Sequence, residues 1–290
     1  MDNTSSRRVA VAQGVAVIDD VDQNLATVTR LVLEAKDAGA EIVVTPELFA
    51  TGYAPDRAWR HDGAAIRSSL ADIARSAGVA LVASSVDSAA CPESARAHYI
   101  AASVFGTGGE EIARVYKRHL FGDTEREWMT PAGAYGEVFA WRDWVWGAGI
   151  CYDVEFPEFS RALARAGADV LLIPTAVPRA DEQAEGLGKA WHYSARQIST
   201  LQVPARALEN GVVIAYANHC GPGFTGRSCI ATPFGHNAVI LGDEEGVAVV
   251  EVPRSGIAAA RRVNTYLTDV DRAFGALPNR TGLPPRLSVQ

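Results

Sequence analysis

Residues 9–47 have the sequence VAVAQGVAVIDDVDQNLATVTRLVLEAKDAGAEIVVTPE, and the order of apolar residues in it decides the fold class. Val9–Val17 is rich in valine and alanine, which predicts a strand. Apolar residues three and four positions apart predict a helix over Asp20–Lys36, and Gly39 ends it. Ile42–Val44 is a short β-branched run typical of a buried strand. This β-α-β order predicts a layered α/β sheet.

The rest of the chain continues the alternation and adds consecutive strands. Helices are predicted over Ala64–Ser76, Phe156–Ala166 and Ala190–Glu209, the last kinked or divided at Pro204 because proline has no N–H to donate. Strands are predicted at Val79–Ser85, His98–Phe105, Glu111–Lys117, Gly136–Ala148, Val170–Pro174, Val212–Asn218, Ser228–Thr232 and Ala238–Val252. The last forty residues carry prolines and arginines and are expected to be irregular.

These elements predict one domain over residues 8–270. A polar N-terminus over residues 1–7 is expected to be flexible. Residues 271–290 are expected to form a C-terminal tail. One role open to this tail is docking on a partner subunit.

The composition is that of an ordinary globular protein, with 48% apolar and 21% charged residues. A net charge of −7 argues against nucleic acid as a partner, because phosphate binding needs a basic surface. The sequence has no signal-peptide pattern and no apolar run long enough for a membrane span. The four cysteines form no CxxC pair, which fits free thiols in a reducing compartment. We therefore expect a cytoplasmic protein with no membrane partner.

Three residues stand at predicted strand ends, where α/β sheets bind ligands. Cys151 lies between a strand and a helix, where backbone N–H groups lower a thiol pKa and can hold an oxyanion. Glu47 follows Pro46 and is a candidate general base. Lys117 could be a fixed cation. Each also has a plainer explanation: a buried structural cysteine, a helix cap or surface ion pair, and a solvated lysine.

Other chemistry is weakly indicated. His119 and His192 would suit a Cys–His protease, but no signature of that kind surrounds Cys151. The spacing of His219, Cys220 and Cys229 matches no zinc pattern. The glycine-rich segment at 106–109 lacks the ending of a phosphate loop and is expected to be a hairpin turn. We predict neither a metal nor a cofactor.

Three segments taken together resemble a known family. They are TPELF at 45–49, YKRHLF at 116–121 and GICYD at 149–153, followed by FPE at 156–158. In this order they are similar to the glutamate, lysine and cysteine motifs of the nitrilase, or carbon–nitrogen hydrolase, superfamily. Two later segments agree, ARALENG at 205–211 and YAN at 216–218. The resemblance spans roughly residues 8–270.

The resemblance implies a four-layer α-β-β-α sandwich and a catalytic triad of Glu47, Lys117 and Cys151. The family's second glutamate falls on Glu125, with Glu127 as the competing candidate. The nearby turn departs from the family pattern, because it has Pro-Ala-Gly at 131–133 in place of Pro-Gly.

The implied mechanism passes through a thioester. Glu47 takes the thiol proton as Cys151 attacks the carbonyl carbon, and Lys117 with the Tyr152 backbone N–H holds the oxyanion. Protonated Glu47 then gives its proton to the leaving amine, and water activated by Glu47 hydrolyses the thioester. Glu125 would hold Lys117 or the substrate nitrogen.

Details of the motifs point to the substrate. Cys-Tyr-Asp at 151–153 favours amides, since nitrilases tend to have Cys-Trp-Glu. Glu155 stands where carboxylate-recognising relatives often have arginine, so we expect it to disfavour anionic substrates. The predicted activity is hydrolysis of a small neutral aliphatic amide, in a pocket lined by Tyr53, Tyr152, Glu155, Thr175 and Ala176.

Alternatives remain open. Another carbon–nitrogen substrate would also fit, either an N-carbamoyl amine, an ω-amide or a nitrile. A non-catalytic interaction protein of the same fold is a further alternative, although the full set of Glu, Lys, Glu and Cys speaks against it. The family resemblance also implies a homodimer or higher homo-oligomer, with Phe156–Ala166 and Leu201–Glu209 as the interface helices.

Overall fold

The computed structural model of the chain describes residues 5–91 and 94–274. Within them the strands are β1 (Ser6–Gln13), β2 (Ile42–Val44), β3 (Ala80–Cys91), β4 (Ser94–Phe105), β5 (Glu111–Tyr116), β6 (Phe139–Trp141), β7 (Trp144–Ala148), β8 (Val170–Pro174), β9 (Asp181–Gln183), β10 (His192–Ser194), β11 (Val213–Ala217), β12 (Cys229–Ala231), β13 (Asn237–Ile240) and β14 (Gly246–Pro253). The helices are α1 (Val21–Asp37), α2 (Pro55–Ala58), α3 (Gly63–Ala77), α4 (Gly122–Trp128), α5 (Pro157–Arg165), α6 (Val203–Asn210), α7 (Arg254–Val263) and α8 (Tyr266–Phe274).

Two six-stranded mixed sheets form the centre of the molecule. The first has the order β14-β1-β2-β3-β4-β5, and the second has the order β13-β12-β11-β8-β7-β6. Strands β1, β2 and β3 are parallel in the first sheet, as are β7, β8 and β11 in the second. The parallel strands are almost entirely apolar, which is typical of strands covered on both faces.

The sheets pack face to face and helices cover both outer faces. One buried cluster fills the space between the sheets and extends under α5, α6 and α7, and it includes Val11, Val44 and Ile173. A second cluster lies between the first sheet and helices α1 and α3, where Leu31 and Leu70 are buried. The predicted four-layer α-β-β-α sandwich is therefore confirmed.

Several strand ends meet at one edge of this sandwich. Glu47 follows β2, Lys117 follows β5, Cys151 follows β7 and Thr175 follows β8. Strand β5 is antiparallel to β4, which is antiparallel to β3, so β5 runs parallel to the strands that carry the other site residues of its sheet. The carboxyl ends of β2 and β5 from one sheet thus face those of β7 and β8 from the other.

Some predicted elements differ from the structure. The predicted helix over Ala190–Glu209 begins as strand β10, passes through a π-helical turn at Ile198–Gln202 and becomes regular only in α6. Pro204 lies in the first turn of α6, where its missing N–H is tolerated. The predicted strand over Gly136–Ala148 is divided by a turn at Arg142 and Asp143, which both have positive φ and so allow a tight hairpin.

The region expected to be irregular contains the helices α7 and α8. Ile257 and Ala260 of α7 are buried, so burial of one apolar face outweighs the arginines of its other face. Helix α8 runs to Phe274 and so crosses the predicted boundary at residue 270. Among the described residues, no helix combines the length and apolar character that crossing a bilayer requires.

Candidate active site

A buried lysine lies between two buried carboxylates at the shared strand edge. Lys117 Nζ lies 2.8 Å from Glu47 Oε1 and 2.7 Å from Glu125 Oε1. The side chains of Lys117 and Glu47 are fully shielded from solvent, and that of Glu125 is 1% exposed. An unpaired charge at such depth would be very costly, so these three groups depend on one another.

Glu125 is held on both of its oxygens. The Tyr53 hydroxyl donates to Oε1 at 2.6 Å, and the Phe121 backbone N–H donates to Oε2 at 2.7 Å. The competing Glu127 lies exposed on helix α4. Residues two apart on a helix point to nearly opposite sides, so only one of the two can reach the lysine.

Cys151 sits on a strained elbow directly after β7. Its φ is +49°, in the left-handed region that non-glycine residues rarely adopt. Its thiol is 3.8 Å from the Ala176 carbonyl oxygen, which it approaches as a donor. Gly149 permits the turn, because a Cβ there would lie 2.1 Å from the Phe159 ring. The elbow thus presents the sulfur toward the end of β8.

Asp153 connects the cysteine elbow to the lysine segment. Its buried carboxylate accepts from the Ile150 N–H at 3.3 Å and from the His119 N–H at 2.9 Å. The His119 ring also contacts it, with Nδ1 at 3.0 Å. One carboxylate therefore fixes the segments that carry Cys151 and Lys117 relative to each other.

The electrostatics of the cluster suit proton transfer. Burial raises the pKa of Glu47 to about 7, although the Lys117 ammonium opposes this shift. Burial, assisted by Glu47, raises the pKa of the Cys151 thiol well above its ordinary value. Burial works against the charge on Lys117, but the acidic groups around it, Glu47 first, together outweigh burial and the pKa of Lys117 rises. The resting site therefore pairs a neutral thiol with a carboxyl group that titrates near neutrality.

One oxygen of Glu47 is available for that thiol. Oε2 is buried and accepts no ordinary hydrogen bond from the described residues. The Cys151 thiol is close enough to the Glu47 carboxylate to contribute to lowering the Glu47 pKa. Glu47 thus has one oxygen on the lysine and one with no hydrogen-bond partner among the described residues, so that oxygen can accept a proton as a general base must.

The predicted pocket residues surround this cluster. Thr175 is buried and its hydroxyl donates to the Tyr216 hydroxyl at 3.2 Å, while Ala176 contacts the cysteine through its carbonyl. The Tyr152 ring packs edge-on against Phe121, with centroids 5.3 Å apart. A cleft of about 420 Å³ reaches the cluster at Tyr53 and Glu125, two of its lining residues.

Glu155 is half-buried beside the cluster. Burial raises its pKa to about 7, and the positive charges of Lys117 and, less strongly, Arg206 oppose this shift. Arg206 donates to its backbone carbonyl at 2.7 Å and not to its carboxylate. The two arginines of α5 are engaged elsewhere, Arg161 with the Glu209 carbonyl and Arg165 with Asp271. In the described part of the chain, the Glu155 carboxylate has no arginine ion pair.

Sequence reasoning missed Tyr216, Tyr193 and the contact of His219 with the Glu47 backbone. Tyr216 is buried and contacts Thr175. Burial raises the pKa of Tyr193, and the nearby Glu155 carboxylate raises it further. His219 contacts Glu47 through a hydrogen bond, while Cys229 donates to the Ser199 carbonyl. Among the described residues, no group of three or more His, Cys, Asp or Glu side chains could hold a metal ion. A tyrosine inside an apolar strand gives no sequence signal that separates a site residue from a core residue.

Fold and site together define a class of enzyme, and comparison with known proteins agrees. The sequence profile of the carbon–nitrogen hydrolase family matches residues 8–262. The chain belongs to this family, whose structurally characterised members include amidases of the nitrilase superfamily. It is thus an amidohydrolase acting on carbon–nitrogen bonds.

Among solved structures, the chain is similar to an amidase from Nesterenkonia sp. AN1. One structure of that enzyme has a TM-score of 0.76 and 32% identity, covering 94% of this chain and 98% of that one. Other structures of that enzyme hold acrylamide, butyramide or a covalent acetamide moiety on the active-site cysteine.

Two curated proteins are also similar. The "Hydrolase in pqqF 5'region" of Pseudomonas protegens is 31% identical over 278 residues, which are 90% of this chain and 88% of that protein. N-carbamoylputrescine amidase of Solanum lycopersicum is 29% identical, over 81% and 82% of the two chains.

The raised pKa of Glu47 predicts the pH dependence of activity. A general base must be ionised in the free enzyme, so kcat/KM should fall about tenfold per pH unit below about 7. The measurement is a kcat/KM profile on propionamide from pH 5 to 9. A profile flat down to pH 5 would show that no group of this kind acts as the base.

Proposed function

We propose that the chain hydrolyses short, neutral aliphatic amides to a carboxylate and ammonia through a thioester on Cys151. In this proposal Glu47, Lys117 and Cys151 are the catalytic residues and Glu125 positions the lysine. The observation that supports it best is the buried lysine held between two carboxylates, one of which has an oxygen without a partner among the described residues and has the Cys151 thiol close to it.

The proton movements follow from that arrangement. Glu47 Oε2 takes the thiol proton as the sulfur bonds to the amide carbonyl carbon, and the carbonyl π electrons move onto oxygen. Lys117 and the Tyr152 backbone N–H stabilise that oxyanion. Glu47 returns the proton to the amide nitrogen, the C–N bond breaks and ammonia leaves. Water then loses a proton to Glu47 and attacks the thioester, and the thiolate leaves and recovers the proton.

Two observations support a short and neutral substrate. Cys151 is only 4% exposed, and the cleft that reaches Glu125 is lined by the aromatic side chains of Tyr53 and Phe121, so long substrates would meet side chains before reaching the cluster. The similar Nesterenkonia amidase has been solved with butyramide and acrylamide, which are both short and uncharged. Neutral ligands also avoid placing another charge beside the buried cluster.

The proposal is tested by ammonia release over a series from formamide to hexanamide, with nitriles and glutamine analogues alongside. We expect the highest kcat/KM on amides of about two to four carbons. Cys151→Ala should abolish turnover, because a thioester route has no substitute nucleophile. Cys220→Ala, a matched change of another buried cysteine, should keep it. Activity that survives Cys151→Ala would contradict the proposed nucleophile.

We further propose that Glu155 excludes anionic substrates. Its carboxylate is half-buried near Lys117 and forms no ion pair with a described arginine, although the charge of Arg206 partly offsets it, so a substrate carboxylate would meet like charge in a partly desolvated site. Because burial raises the pKa of Glu155 to about 7, the repulsion should grow as pH rises through 7. At lower pH the protonated group repels an anion less.

The measurement is the ratio of kcat/KM on succinamate to that on propionamide. Glu155→Arg should raise this ratio about tenfold or more, while Glu158→Arg, the same charge change on the exposed start of α5, should leave it unchanged. In the wild type the ratio should fall between pH 6 and 8. A ratio that changes neither with pH nor in the Glu155→Arg variant would mean that the shape of the pocket alone selects the substrate.

A cationic substrate is the second candidate, and the same carboxylate favours it. An ammonium group at the far end of an N-carbamoyl amine could pair with Glu155. The similarity to a plant N-carbamoylputrescine amidase supports including this class. In the screen above, a higher kcat/KM on N-carbamoylputrescine than on every simple amide would favour this reading.

We also propose that the protein forms a homodimer through α5 and α6. Leu201, just before α6, is 62% exposed, and Tyr266 beside the groove between α6 and α8 is 46% exposed. Sedimentation should give about twice the chain mass of 30.8 kDa. Leu201→Glu should shift the protein toward monomer, whereas Leu187→Glu, another exposed leucine, should not. A wild-type monomer at micromolar concentration would refute the dimer.

A further inference from the structure

His219 is a buried histidine that the mechanism above does not use. It follows β11 and is 1% exposed. Its ring is stacked on Phe49, with centroids 5.2 Å apart at 26°, and on Phe224, with centroids 4.8 Å apart at 27°. These two stacking partners fix the plane of the ring, so its nitrogens point in a defined direction.

That direction leads to the backbone of Glu47. His219 Nε2 lies 2.6 Å from the Glu47 carbonyl oxygen. A carbonyl oxygen only accepts, so Nε2 carries the hydrogen and donates it. Burial lowers the pKa of His219 to about 4, so the ring is neutral at physiological pH and adds no charge to the site.

The Glu47 backbone is held at both of its polar groups. Its N–H donates to the Thr175 carbonyl across the two sheets at 3.1 Å, and its carbonyl accepts from His219. The next residue, Leu48, has a φ of +48° and is fully buried. A leucine in the left-handed region is strained and would relax if the peptide before it could rotate.

We propose that His219 is a positioning residue for the general base: its Nε2–H fixes the peptide between Glu47 and Leu48, and so fixes the direction of the Glu47 side chain. Without this donor, the peptide can turn and carry Oε2 away from the sulfur. A displacement near 1 Å in a reacting group can cost about 100-fold in rate. The inference rests on the proposed role of Glu47 in amide hydrolysis.

Three substitutions separate the hydrogen bond from the packing. His219→Phe keeps a flat ring against Phe49 and Phe224 but has no donor. His219→Gln places an amide N–H the same number of bonds from Cβ as Nε2. His219→Asn also has an amide, but it is one bond too short to reach. His236→Phe makes the same change at an exposed histidine and serves as the control.

We expect the Phe and Asn variants to lose about 10- to 100-fold in kcat on propionamide with KM changed less than threefold. His219→Gln should recover to within about fivefold of wild type, and His236→Phe should match wild type. The acid limb of the kcat/KM profile should move to lower pH in the Phe and Asn variants, because a loosened Glu47 becomes more hydrated. A purely structural histidine would instead lower the melting temperature and leave this limb in place.

A second measurement does not depend on turnover. The rate at which iodoacetamide alkylates Cys151 reports how well Glu47 deprotonates the thiol, and it should fall in the Phe and Asn variants and recover in the Gln variant. If the wild type hydrolyses no amide, the proposed function fails while alkylation still tests His219. If the Phe variant does not fold, the Gln and Asn pair decides. Equal activity and equal alkylation rates in that pair would overturn the proposal.

Discussion

The ion cluster of Lys117 with Glu47 and Glu125 is the constraint on which the rest of the structure depends. Moving a charge from water to a protein interior costs several kcal/mol, and removing one partner of a buried ion pair typically destabilises by about 3–5 kcal/mol. All three side chains are almost fully shielded. The fold must therefore bring them together within hydrogen-bonding distance and hold them there, or not bury them at all.

The architecture meets this requirement by bringing strand ends together. Glu47 and Lys117 come from the first sheet, and Cys151 and Thr175 come from the second. Hydrogen bonds join the two sheets at this edge: the Glu47 N–H donates to the Thr175 carbonyl, and the Asp153 carboxylate accepts from the backbone beside Lys117. Hydrogen bonds made by groups that do not react thus hold Cys151 in its strained backbone conformation.

Sequence patterns predicted the layered sheets and the order of the strand ends well. They rest on runs such as Ile42–Val44 and Val170–Pro174, whose burial depends only on local apolar character. The choice between Glu125 and Glu127 was harder, because it depends on the phase of the short helix α4. The helix prediction for the stretch before α6 was wrong because His192–Ser194 pairs with β9 as a strand, so helical spacing of apolar residues did not guarantee a helix.

Residues that act through the backbone were the least predictable. The spacing of His219, Cys220 and Cys229 argued against a zinc site, but residue type and spacing gave no other role for His219. In the structure its role follows from two ring stacks and one hydrogen bond, and the stack on Phe49 and the hydrogen bond to Glu47 are made with residues far away in the sequence. Partners that are separated by 172 positions leave no local pattern.

Charge conservation links the cluster to the proposed substrate class. With both carboxylates ionised, the cluster carries one net negative charge, and the raised pKa of Glu47 limits that excess. When the thiol proton moves to Glu47, the negative charge leaves the carboxylate and appears on the substrate oxygen, so the net charge of the buried region stays the same. A neutral amide preserves this balance at every step. An anionic substrate would add a further negative charge to a site where Lys117 is already shared between two carboxylates. Glu155 would increase the repulsion.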